Sequence, residues 1–174
     1  MVSDFIKGKK QFDYSEDIRK GILLHRAIDA FTDEHPVNKT ARQVFQPYYR
    51  LYSSAFLDVV YDHFLARDKH HFPGDALAAF AQEVYQILDS YEPQLPPNFR
   101  TMLPYMKKYD WLFNYQHPVG IENSFAGLVR RASYMQEHET AFRLFKENYQ
   151  TLQQAYNSFF PEIHQFAFNT LQAM

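Results

Sequence analysis

Large apolar side chains recur at threes and fours along most of this chain, and that spacing commits it to helices. Phe45, Tyr49, Tyr52, Phe56, Val59 and Val60 form one such stripe. Phe142, Phe145, Tyr149, Leu152 and Tyr156 form another, spaced 3, 4, 3 and 4. Five Gly in 174 residues leave little room for the tight turns of a β-sheet protein. With 17 Phe and 13 Tyr against one Trp, the core should be built from rings. The expected fold is all-α: one compact multi-helix domain over residues 1–174.

Punctuation along the chain divides this pattern. Ser15 before Glu16 and Asp17 suits a helix start, and the helix should run to about Thr32, with Pro36 marking its end. A second helix is expected from near Asn38 to about Arg67, stopped by Phe72-Pro73-Gly74. Asp75 can cap a third, which carries Leu77, Phe80, Val84 and Leu88. The proline-rich stretch from Glu92 to Asn98 reads as a connector, too short to separate domains. Helical fragments follow at Phe99–Lys108, Asp110–Tyr115 and Gly120–Arg131. In the long last section, Pro161 is expected to interrupt the helix.

Composition excludes several function classes. A formal net charge of −2 offers no global field for nucleic acid or a membrane surface. Zero cysteines rule out disulfides, thiol nucleophiles and zinc-thiolate sites. No apolar run approaches the ~20 residues of a membrane helix, and no signal peptide opens the chain. The expected location is cytoplasmic. Phosphate-binding Gly loops, H-E-x-x-H motifs and serine nucleophile elbows are also missing.

The chemistry lies elsewhere. In the stretch Gly21–Pro36, His25, Asp29 and Asp33 fall at successive i, i+4 positions, on one helix face that Ile18 and Ile22 continue backwards. Carboxylates that extend an apolar stripe need compensation. Arg26 could pair with Asp29, or a cation could satisfy His and Asp together. A second group, Asp58, Asp62 and His63, sits on the next helix. There His63 should point inward, about 100° away from Asp62. Mixed His/Asp donors suit Mn²⁺, Fe²⁺ or Mg²⁺ better than soft-ligand metals. His70, His71, His117, His138 and His164 read as structural.

These residues carry a family resemblance. Ser3-Asp4-Phe5-Ile6-Lys7-Gly8, Leu24-His25-Arg26, Ile28-Asp29, Phe31-Thr32-Asp33, His35-Pro36 and Tyr61-Asp62-His63-Phe64-Leu65-Ala66 resemble the acyl carrier protein phosphodiesterases. That family is itself distantly similar to HD-type metal phosphohydrolases. A looser match continues through Trp111-Leu112, Tyr115, Gly120-Ile121, Leu128 and Arg131 to Phe159-Phe160-Pro161.

The resemblance implies an HD-phosphohydrolase-like helical fold. It also implies hydrolysis of holo-acyl carrier protein to apo-acyl carrier protein and 4′-phosphopantetheine, by attack of a metal-bound water. The cofactor implied is a divalent metal, Mn²⁺ first, with Mg²⁺ or Fe²⁺ possible. Asp4, His25, Asp62 and His63 would be metal ligands or their neighbours, and Asp29 a ligand or general base. Arg26 would hold the phosphate, with Asp33 and His35 in supporting or proton-transfer roles. The partner implied is acidic, so Lys7, Lys9, Lys10, Arg19 and Lys20 are the expected docking residues. Family members usually carry an extra N-terminal segment with its own His, whereas here Met1 stands almost directly before Ser3-Asp4. The resemblance therefore implies either a start assigned too late or a chain lacking that piece. Two other readings stay open: a metal phosphohydrolase with a different phosphodiester substrate, and a metal-free, non-catalytic helical module.

Overall fold

A computed structural model of the protein describes residues 2–132 and 134–174, and all regular structure among them is helical. Two 3₁₀ turns, Ser3–Phe5 and Gly8–Asp13, precede helix α1 (Glu16–Glu34), which starts directly after Ser15. Then come α2 (Pro36–Ala41), α3 (Gln46–Tyr49), α4 (Ser53–Arg67), α5 (Ala76–Ser90), α6 (Pro97–Lys108), α7 (Trp111–Asn114), α8 (Pro118–Arg131), α9 (Glu139–Glu147) and α10 (Tyr149–Gln172). No described helix is long and apolar enough to cross a membrane.

The single helix expected from Asn38 to Arg67 is instead three, joined by 3₁₀ turns at Arg42–Val44 and Arg50–Tyr52. Pro47 lacks the N–H an uninterrupted helix needs, so it sits in the first turn of α3. Arg50 then takes φ 48°, a conformation that ends α3 outright. The periodic stripe survives these breaks because each fragment still turns its rings inward: Phe45, Tyr49 and Phe56 are all buried.

Proline misleads in the other direction at Pro161, which lies inside α10 rather than ending a helix. An interior proline costs about 3 kcal/mol. Tyr156, Phe159 and Ile163 are buried around it, each side chain stabilising by roughly 1.5–3 kcal/mol. Burial wins, and α10 runs through, packed along α1 and α2. The break in this last section falls at Asn148, whose N–H and side-chain amide both reach the Leu144 carbonyl.

Two clusters of buried side chains result. The larger joins α2, α3, α4, α8, α9 and α10 around Phe45, Phe56, Phe125 and Phe145. The smaller joins α5 and α6 around Tyr85, Phe99 and Met106, and it also receives Phe5 from the N-terminal segment. Phe5 meets Phe99 edge-on, ring centres 5.8 Å apart. The residue beside Asp4 is thereby anchored in the second core.

Candidate metal centre

Helix α1 presents His25 and Asp29 one turn apart, and the His25 Nδ1–H donates to Asp29 Oδ2 at 2.9 Å. In the neutral ring, that bond makes Nε2 the acceptor nitrogen. Nε2 faces Asp4 Oδ1 at 3.6 Å. Donor atoms of Asp4, His25 and Asp29 all lie within 4.8 Å of one another. Among the described residues it is the one group of three or more His and acidic side chains that converges in this way.

The donor set passes a chemical test for a hard or borderline divalent cation. One imidazole and two carboxylates are ligands that Mn²⁺, Fe²⁺ and Mg²⁺ accept. A separation of 3.6 Å between Nε2 and a carboxylate oxygen is long for a hydrogen bond. It is ordinary for two ligands sharing one ion with bonds of about 2.1 Å. The bond from Asp29 to the other ring nitrogen is the usual carboxylate support of a ligating histidine.

Across from α1, α4 contributes Asp58 and Asp62. Burial pushes the Asp58 carboxyl up to about 7, and the charges of Asp62, Asp33, Asp29 and Asp4 add to the shift. Burial likewise holds Asp62 at about 7. Both residues nevertheless keep solvent-exposed surface. Beside Asp62, burial and that carboxylate's charge raise the Tyr115 hydroxyl pKa. Sequence reasoning named Asp58 only as a neighbour of Asp62. The signal available was the i, i+4 spacing of two acids on a helix that is otherwise largely buried.

The crowding of acids has a measurable consequence. An acid whose pKa is raised on folding destabilises the fold above its unfolded pKa, so the penalty is absent near pH 4 and full above pH 7. A rise from 3.8 to about 7 corresponds to about 4 kcal/mol in full, and solvent at the exposed side chain cuts that to roughly 1–2 kcal/mol. Asp58→Asn should therefore raise the melting temperature by about 3–6 °C at pH 8 and leave it unchanged at pH 4. An equal change at both values would remove the electrostatic explanation.

The family model for acyl carrier protein phosphodiesterases matches residues 1–163. The chain belongs to the acyl carrier protein phosphodiesterase family. A protein of that name from Yersinia pestis is 31% identical over 162 residues, covering 92% of this chain and 84% of the relative. Another, from Serratia proteamaculans (strain 568), is 30% identical over 168 residues, covering 96% and 87%. A third, from Klebsiella pneumoniae (strain 342), is 30% identical over 174 residues, covering 97% and 88%. No solved structure matches the chain.

In this family member the remaining expected site residues are dispersed. His63 is 1% exposed and turned into the larger core. Its Nδ1–H donates to the Tyr115 carbonyl at 2.7 Å, and its Nε2 accepts from the Tyr149 hydroxyl at 3.1 Å. With both nitrogens used, and with Phe64, Phe145 and Tyr149 edge-on around it, this ring is not grouped with the ligands expected beside it. The 100° step along α4 explains the separation: Asp62 lies on its exposed face and His63 in the core. Gly120 supports this placement, because a Cβ there would strike the Asn114 carbonyl, one residue before Tyr115.

Arg26 pairs with neither Asp29 nor open solvent. Its guanidinium donates to Gln11 Oε1 at 2.7 Å and to the Ile6 carbonyl at 3.0 Å. Asp33 lies near Asp58 but is held by Arg42, which donates to its carboxylate at 3.0 Å, to its carbonyl at 2.6 Å and to Ser54 at 2.9 Å. His35 is apart from the cluster: its ring packs against Phe31 and Phe159, and Nε2 meets Glu162 at 3.3 Å. Lys7, Lys9 and Lys10 are exposed on the segment that carries Asp4. Arg19 lies over the Phe12 ring at 6.0 Å, and Lys20 is 4.0 Å from Glu16.

Proposed function

We propose that this protein hydrolyses the phosphodiester of holo-acyl carrier protein, releasing 4′-phosphopantetheine and apo-acyl carrier protein with the aid of a divalent cation held at Asp4 and His25, with Asp29 supporting the His25 ring. The convergence of those three side chains carries the reading, and family membership supplies the substrate class. A cation there would supply Lewis acidity toward the phosphoryl oxygens and lower the pKa of water.

The chain's own residues do the rest. Asp29 holds the His25 ring by Nδ1 and turns Nε2 toward Asp4. Asp4 reaches the same point from a separate element. Asp58, with its carboxyl near 7, is part protonated at neutral pH and can exchange that proton with a reacting group. The three exposed lysines after Asp4 put positive charge beside an otherwise acidic cluster, the sign needed to steer an acidic carrier protein to it.

The test is the intact mass of holo-acyl carrier protein after incubation with the protein and Mn²⁺, with and without chelator. Loss of the phosphopantetheine mass only without chelator is the expected result. Unchanged mass together with cleavage of another phosphodiester would reassign the substrate. No cleavage of either, with no Mn²⁺ bound, would leave a non-catalytic module.

A further inference from the structure

We infer that Arg26 is a positioning residue that clamps the N-terminal segment onto α1 and thereby sets how tightly the Asp4, His25 and Asp29 cluster holds a cation. The inference rests on the cation reading above. Its origin is an asymmetry among the three donors. His25 and Asp29 are prearranged on one long helix, whereas Asp4 stands on a three-residue 3₁₀ turn. A turn that short has no stability of its own, so its placement depends on what ties it down.

Several contacts tie it down. Ile6 is 4% exposed, Phe5 meets Phe99, and Arg26 bonds the Ile6 carbonyl and the Gln11 side chain. Arg26 follows His25 directly, so the turn of α1 that presents the ligand histidine also grips the chain two residues beyond Asp4. The planar guanidinium fork spans two acceptors five residues apart, a task a lysine ammonium cannot reproduce in the same geometry.

Cation affinity must then be linked to docking of this segment. Apparent affinity falls by the fraction of molecules with Asp4 undocked. By reciprocity, a bound cation must protect the segment.

The experiment is Mn²⁺ titration of the full-length protein by calorimetry, paired with amide hydrogen exchange over residues 3–13. Both Arg26→Lys and Arg26→Gln should weaken Mn²⁺ about tenfold or more and speed exchange in that segment. Mn²⁺ should slow the same amides in the wild type and not in Asp4→Asn. If Arg26→Gln does not fold, Gln11→Ala, which removes one acceptor and keeps the arginine, should show a smaller loss of the same sign. Wild-type Mn²⁺ affinity in the Arg26 variants would overturn the clamp and leave the cation reading standing. Failure of the wild type to bind Mn²⁺ would overturn both. Restored Mn²⁺ affinity in Arg26→Lys alone would show that charge, not the fork, matters, and would also overturn the clamp.

Discussion

His25→Ala is expected to abolish Mn²⁺-dependent release of phosphopantetheine, with kcat/KM falling by about a thousandfold or more. The scale follows from the several kcal/mol that a cation's charge contributes to a phosphoryl transition state, at 1.36 kcal/mol per tenfold. His25 is the hinge of the cluster because each ring nitrogen faces a different carboxylate. Alanine leaves Asp4 and Asp29 without the group between them. The fold should be indifferent, since the side chain is 31% exposed and Asp4 and Asp29 beside it are solvent-exposed. Melting temperature should move by no more than about 2 °C, in line with surface substitutions. Single-turnover mass spectrometry and a thermal melt on the same sample separate the two effects. A loss of activity matched by a large drop in melting temperature would make His25 structural instead.

His63→Ala should give the opposite pattern: a large loss of stability and nearly unchanged Mn²⁺ affinity. The substitution opens a cavity among Phe64, Phe145 and Tyr149 and leaves the Tyr115 carbonyl and the Tyr149 hydroxyl without their partner. Cavity and unpaired polar groups together cost about 2–4 kcal/mol. In a domain of this size that lowers the melting temperature by roughly 5–15 °C. A pH arm sharpens the test. Burial holds the His63 pKa below its ordinary value, so the folded state favours the neutral ring. The native histidine's contribution is therefore present above the unfolded pKa of about 6.5 and fades as pH falls through the folded value. The gap between wild type and variant should narrow in acid. If His63→Ala instead abolishes Mn²⁺ binding at intact stability, the residue belongs with Asp4 and His25.

These contrasts show where helical periodicity is informative and where it is not. The alternation of threes and fours was enough to predict an all-helical chain, the start of α1 at Glu16 and the ring-built core. Those depend on local spacing and on burial, both written residue by residue. The shared face of His25 and Asp29 was legible for the same reason, because i, i+4 neighbours on a helix meet whatever the rest of the fold does. Proline was read poorly in both directions. Pro47 joins a break at Arg50 that no stripe of rings reveals, whereas Pro161 is carried through by packing against other helices.

Adjacency in sequence determined which residue types were available for chemistry, and tertiary structure decided which of them meet. Asp62 and His63 are neighbours in the chain, yet one faces outward and the other the core, because successive helical side chains point 100° apart. Asp4 lies 21 residues before His25, and it reaches the histidine only because Phe5 and Ile6 are buried and Arg26 bonds the chain just beyond them. Arg26, Asp33 and His35 look equivalent in the motif, but each is committed to a different partner: Gln11 and Ile6, Arg42, and Glu162. A linear motif specifies donors and acceptors. Which of them converge is settled by the long-range contacts that place each one.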